Sequence, residues 1–145
     1  MSKDTILLVE DHPDEAELAL RGFAKMADDY DVQLARDGEE ALDFLFSRGQ
    51  HRGRPSARKP GLIILDLSLP GIDGFEVVQQ LREHSDYRYT PVVVLTTSDE
   101  QSDILQSYNL GVNSYLCKPL DFENFSDVLQ LVSHYWLRNN AAPRP

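Results

Sequence analysis

The chain has 145 residues, 41% hydrophobic and 26% charged, which is enough for one domain with a full core, too few for two ordinary ones, and unlike a disordered chain. Its formal net charge of −10 disfavours nucleic-acid backbones and anionic membranes as partners. Cys117 is the only cysteine, so no intramolecular disulfide can form.

Cys117 lies in an apolar stretch and is expected to be a small core residue. No segment approaches the ~20 apolar residues of a membrane span, and the apolar run near the N-terminus stops at acids, so a cytoplasmic location is expected. Thr5 to Val9 (TILLV) is that run, and it ends at Glu10 and Asp11. A short stretch that is apolar at every position suits a strand buried on both faces of a parallel sheet. A first helix follows, with Pro13 in its first turn, Asp14, Glu15 and Glu17 near the positive end of its dipole, and Ala16, Leu20, Phe23 and Ala27 on the buried face; it should end near Asp28. Asp31 to Ala35 reads as a second strand. Asp37 caps a second helix, with Glu40 in the capping-box position and Ala41, Leu42, Leu45 and Phe46 facing inward.

From Arg48 to Pro60 (RGQHRGRPSARKP) the periodicity stops, and the stretch carries five Lys or Arg, one His and no acid. It reads either as a solvated connection or as a docking element for an acidic partner surface. Next, Leu62 to Leu65 run straight into Asp66. An ionised Asp buried without a cation costs several kcal/mol, so Asp66 must emerge at the strand's carboxyl end or meet a positive charge. Phe75, Val78 and Leu81 line a third helix that ends near His84. Pro91 to Leu95 forms a fourth strand, which leads to Thr96. Ser98 is expected to cap a fourth helix with Ile104, Leu105 and Tyr108 inward, ending at Asn109 and Gly111. Ser114 to Cys117 is a fifth strand closed by Lys118 and Pro119, and Asp121 caps a last helix that runs to about Asn139. His12, His51, His84 and His134 are scattered, without metal or relay spacing, and read as surface or loop residues.

Strands alternating five times with helices predict an α/β protein with a doubly wound, five-stranded parallel sheet of order 2-1-3-4-5. That order gathers Glu10 and Asp11, Asp66, Thr96 and Lys118 at the carboxyl ends of the strands. Three carboxylates repel one another and any incoming phosphoryl group. A hard divalent cation such as Mg²⁺ contributes +2 and Lys118 +1, which balances the −3. The chemistry these parts support is phosphoryl transfer onto Asp66, with Lys118 neutralising charge on the transferred group and Thr96 donating a hydrogen bond to it. The resulting acyl phosphate is labile and suits a transient signal. Thr96 and Tyr115 are candidates for a two-state switch that responds to it, the alternative for Tyr115 being a fixed surface aromatic.

These residues closely resemble the receiver domain of two-component response regulators, and the similarity covers essentially the whole chain. It rests on the acidic pair Glu10 and Asp11, the LDLSLPGIDG stretch around Asp66, Thr96, and Lys118 with Pro119, with intervals of 30 residues from Asp66 to Thr96 and 22 from Thr96 to Lys118. The resemblance implies that Asp66 accepts phosphate from a partner kinase's phosphohistidine. It also implies that Asp11, Asp66 and the Ser68 carbonyl bind Mg²⁺, that Glu10 acts through water, and that the Lys118–Pro119 bond is cis. Departures are the basic loop, Glu10 where many relatives have Asp, and Ser at positions 68 and 98, which leave the self-dephosphorylation rate open. The polar loop, the run Val92 to Ser98, and the HYWL segment His134 to Leu137 further resemble the small stand-alone regulators paired with bacterial phytochromes. The implied partner is a sensor histidine kinase of the bacteriophytochrome type. The expected domain spans residues 1–140, with 141–145 a frayed tail and no effector domain, so that output runs through protein contacts.

The last helix adds an independent clue. Nine of the sixteen residues from Phe122 to Leu137 are apolar, and the stripe Phe125, Leu129, Val132 and Trp136 is enough to cover the sheet. The surplus Val128, Leu131 and Tyr135 predict a homodimer through the fourth helix, fifth strand, last helix and C-terminal extension, with Trp136 contributing; a wider core stripe is the alternative. Two enzyme or carrier readings share the architecture. A haloacid-dehalogenase-type phosphatase would want a second Asp where Ser68 stands, and a flavodoxin-like carrier would want a Ser, Thr and Gly-rich loop where the chain has EDHPDE. A phosphorylation-independent interaction module is the remaining alternative.

Overall fold

The computed structural model describes residues 3–52 and 59–143. Strands β1 (Asp4–Val9), β2 (Tyr30–Ala35), β3 (Leu62–Leu65), β4 (Val92–Thr96) and β5 (Ser114–Cys117) form one parallel sheet in the order β2-β1-β3-β4-β5, as the alternation predicts. Helices α1 (Pro13–Ala24), α2 (Gly38–Leu45), α3 (Gly74–Glu83), α4 (Gln101–Asn109) and α5 (Phe122–His134) follow the strands in turn. Successive strand residues point to opposite faces. Leu7, Val9, Ile63, Leu65, Val92 and Val94 therefore enter the core shared with α2 and α3, while Ile6, Leu8, Leu62, Ile64, Val93 and Leu95 enter the core shared with α1 and α5. Two covered faces are why these strands read as unbroken apolar runs.

Capping aspartates fix where three helices begin. Asp37 accepts the Glu40 amide at 2.7 Å, Asp73 the Glu76 amide at 3.0 Å, and Asp121 the Asn124 amide at 2.8 Å. α4 starts otherwise: Ser98 does not cap it, because its hydroxyl donates to Asp103 at 2.7 Å and Glu100 stands at the cap position. α5 passes at Tyr135 into a π-helical turn, Tyr135–Asn139, closed by the Asn140 amide on the Tyr135 carbonyl.

Several helix faces are rotated from the expected ones. On α1, Leu20 is exposed while Ala19 joins Ala16 and Phe23 in the core, because Gly22 turns toward α5 and lets Leu129 approach closely; the helix ends at Ala24, short of the expected Asp28, and in the turn beyond it Met26 is buried and Ala27 exposed. On α4, Leu105 and Tyr108 are exposed and Ser107 is the buried residue; its small side chain lets the helix lie close and bonds back to the Asp103 carbonyl. Cys117 is exposed, since β5 is an edge strand without full cover at its end. No peptide bond among the described residues is cis, so Lys118–Pro119 is trans, the form an X–Pro bond favours by about 0.5–1 kcal/mol. Of the basic stretch, Arg54 and Arg58 lie outside the described residues; Arg48 stands 3.6 Å from Asp43 and Lys59 3.1 Å from Asp86. Among the histidines, His12, His84 and His134 are exposed and His51 is half-buried, edge-on to Phe44.

At the amino ends of the strands, Arg82 of α3 uses all five of its N–H donors. They reach the carbonyls of Tyr87, Thr90 and Gly111 and the Asn113 side chain, at 2.8–3.1 Å. The guanidinium thereby joins the α3–β4 connection to the α4–β5 turn, where Gly111 has φ +103° and its missing Cβ leaves room for Arg82.

Gly74 opens α3 with its Cα so close to the end of β3 that a Cβ would stand 2.7 Å from the Asp66 carbonyl and 2.8 Å from the Leu67 Cα. Gly74→Ala should cost about 1–3 kcal/mol by overpacking, read as a lower urea midpoint at unchanged slope. An unchanged midpoint would show that the β3–α3 junction yields freely.

Candidate functional site

Asp66 follows the last residue of β3 and is 7% exposed. Its Oδ1 accepts the Thr96 hydroxyl at 3.0 Å and the Ser68 amide at 3.2 Å, and its Oδ2 accepts Lys118 Nζ at 2.8 Å. Strand order explains the convergence: β3 lies between β1, which delivers Glu10, and β4, which delivers Thr96, and β5 places Lys118 beyond them. Lys118 Nζ also stands 2.5 Å from Glu10 Oε1 and 3.3 Å from Glu15 Oε2.

Glu10 is 4% exposed, and burial pushes its carboxyl above the ordinary value even though Lys118 and the His12 amide favour its charged form. Burial alone would lower the Lys118 ammonium, but the hydrogen bonds and charges of Asp66 and Glu10 outweigh it and hold the group well above the usual lysine value.

Most of the residues picked out from the sequence meet here. Among the described residues, the carboxylates whose oxygens lie within 4.8 Å of one another are Glu10, Glu15 and Asp66; Asp11, next to Glu10 in the chain, is half-buried and outside that set. From the sequence Glu15 has only a helix-dipole role, and its one signal is a position on the first turn of the helix that follows Glu10. All-oxygen donors of this kind, two of them buried and with a single lysine between them, fit a hard divalent cation. Ser68 is exposed, and it meets Asp66 through its amide, which donates to Oδ1.

Tyr115 is half-buried, and its hydroxyl donates to the Ser98 carbonyl at 2.9 Å, with Cys117 Sγ 3.5 Å from the same oxygen. Burial is the main cause that raises the Tyr115 phenol above its ordinary value. On the α5 flank, Leu131 is 69% and Tyr135 48% exposed, whereas Val128 and Trp136 are half-buried.

A family model described as the response regulator receiver domain matches residues 6–130. The chain belongs to that receiver family. Among its relatives, the probable methanogenesis regulatory protein FilR2 of Methanothrix harundinacea is 41% identical over 97% of this chain and 88% of its own. Response regulator Rcp1 of Synechocystis sp. is 36% identical over 95% of this chain and 92% of its own. The crystal structure of the Mn²⁺-bound form of Rcp1 superposes with a TM-score of 0.85 at 35% identity, over 97% of this chain and 99% of that one. The structure of the phosphorylated cyanobacterial phytochrome response regulator RcpA gives a TM-score of 0.89 at 32% identity, over 99% and 100%.

Lys118 is the cation that neutralises the buried receiver carboxylates. Lys118→Met should cost about 3–5 kcal/mol near pH 8, where Glu10 is left charged and unpaired. The sign follows from linkage: burial raises the Glu10 carboxyl, and an acid whose folded pKa is raised loses stability as pH rises, so the variant's deficit should shrink as pH falls from 8 toward 5. Urea denaturation at both pH values measures it, and an equal deficit at each would show that Lys118 does not offset the Glu10 charge.

Proposed function

We propose that the chain is a response regulator whose Asp66 accepts a phosphoryl group from the phosphohistidine of a sensor histidine kinase. The observation that carries this reading is the Asp66 carboxylate at the strand end, fixed through one oxygen by Thr96 and Ser68 and through the other by Lys118. A carboxylate oxygen attacks phosphorus, the P–N bond to the donor imidazole breaks, and the electron pair leaves with the imidazole nitrogen. Lys118 meets the charge on the transferred oxygens and Thr96 donates its hydroxyl to one of them. Glu10, Asp11, Asp66 and the Ser68 carbonyl would hold Mg²⁺, which supplies charge neutralisation when bound. The Mn²⁺-bound form of the relative Rcp1 supports a divalent ion in this family. Such a protein is a signalling component that catalyses only its own phosphorylation and dephosphorylation.

Thr96 and Tyr115 form the switch in this reading. Thr96 is buried and bonded to Asp66, and Tyr115 is tied to Ser98, two residues further along the same loop, so a phosphate that draws Thr96 shifts the loop that holds the Tyr115 ring. The cyanobacterial phytochrome regulator RcpA and the bacteriophytochrome response regulator AtBRR among the structural relatives support a bacteriophytochrome as the kinase. The described helices include none long and apolar enough to cross a membrane, and we place the protein in the cytoplasm as one receiver domain over residues 1–140, with output through protein contacts and no role for nucleic acid.

The exposed Leu131 and Tyr135, with Val128 and Trp136 beside them, support a homodimer through α4, β5, α5 and the C-terminal extension. Exposed Leu105 and Tyr108 enlarge the apolar surface on the α4 side. Leu131→Asp should convert the dimer to monomer in sedimentation at tens of micromolar; a wild type that is monomeric there removes the dimer from the reading.

Intact mass after incubation with acetyl phosphate and Mg²⁺ tests the main claim. Wild type should gain one phosphoryl group, about 80 Da, and Asp66→Asn should gain none. No gain in wild type, with Mg²⁺ binding verified, would favour a phosphorylation-independent interaction module.

A further inference from the structure

Reading Asp66 as the phosphoacceptor leaves one carboxylate of the cluster without a task. Glu15 stands on the first turn of α1 with Oε2 3.3 Å from Lys118 Nζ. An ammonium has three N–H donors. That of Lys118 is met by three carboxylates, Glu10 at 2.5 Å, Asp66 at 2.8 Å and Glu15 at 3.3 Å. The Glu10 and Asp66 side chains are 5% and 9% exposed and held by their neighbours, whereas Glu15 is 32% exposed, its Oε2 lying between Lys118 and His12 Nδ1, the latter at 3.9 Å.

The charge count also changes. Glu10, Glu15 and Asp66 sum to −3 around Lys118, and with Asp11, next to Glu10 in the chain but outside that cluster, the formal sum is −4, one more than Lys118 and a divalent ion return. A phosphoryl group on Asp66 adds about −1.5 to −2, and its oxygens need the same ammonium that Glu15 engages.

We infer that Glu15 is a positioning residue: it draws the Lys118 ammonium toward α1 in competition with the phosphoryl oxygens, and its charge helps to hold the divalent ion. It therefore trades metal affinity against the ease of phosphorylating Asp66. The role rests on the phosphoacceptor reading given above.

The test is Glu15→Gln, with Mg²⁺ affinity measured by calorimetry and the phosphorylation rate constant measured by intact mass with acetyl phosphate at saturating Mg²⁺. Removing one charge a few ångströms away should weaken Mg²⁺ binding roughly three- to tenfold and raise the phosphorylation rate constant by a similar factor. Opposite directions are the signature, since a merely structural defect lowers both. Glu15→Asp keeps the charge and should fall between wild type and Glu15→Gln. Glu17→Gln makes the same charge change on the same helix, at a residue 64% exposed and paired with Arg21, and should leave both constants unchanged. The inference is overturned if Glu15→Gln leaves both constants unchanged, if both fall together, or if Glu17→Gln reproduces its effect. Wild type that takes up no phosphoryl group with Mg²⁺ bound overturns the phosphoacceptor reading and the role of Glu15 with it. Normal labelling of wild type beside an unaltered Glu15→Gln overturns Glu15 alone.

Discussion

The lysine at the end of β5 is what permits this sheet to finish in acids. Asp66 and Glu10 are both held away from water by the chain's own tertiary structure, and two uncompensated carboxylates a few ångströms apart would force one to bind a proton or the strand ends to separate. A single ammonium between them gives both carboxylates one shared cation, 2.5 Å from Glu10 and 2.8 Å from Asp66. The arrangement is conditional: the cation is shared, so any ligand that takes one of its partners alters the others. A site organised in this way rests on competition among acceptors rather than on backbone strain, and among the described non-glycine residues positive φ occurs only at Ser47, away from the cluster in sequence.

Much of this was legible in the sequence. Apolar runs that stop at Glu10, Asp66, Thr96 and Lys118 specify both a strand and its carboxyl end, so the strand pattern and the site come from the same residues. The sheet order then brings them together with no further information. Asp37, Asp73 and Asp121 likewise announce their helices through a local hydrogen bond that needs only a few residues to form.

Other features depend on contacts that no local pattern encodes. A helical stripe fixes a buried face to within about one residue's rotation, ~100°, and the neighbouring element decides the rest. Gly22 against Leu129 decides it for α1, moving Leu20 out and Ala19 in; the buried Ser107 decides it for α4, leaving Leu105 and Tyr108 outside. Cys117 looked like core because its neighbours are apolar, yet an edge strand has cover on fewer sides. Glu15 was hidden for the opposite reason: an acid in a helix's first turn already has a sufficient local explanation, and only the path of Lys118 across 103 residues of sequence gives it a second one.

The two ends of α4 are fastened very differently. At its C-terminal end, Arg82 clamps the Gly111 carbonyl and Asn113 within a saturated set of hydrogen bonds, whereas its N-terminal end is tethered through the Ser98 hydroxyl to Asp103, and little of the helix is buried. A rod pinned at one end and lightly tied at the other behaves as a lever. Nine residues at ~1.5 Å each make it ~13 Å long, so a tilt of about 10° about the pinned end carries the free end some ~2 Å. The free end is the one that follows Thr96 in the chain, so the largest displacement of such a tilt falls on the side of α4 nearest Asp66.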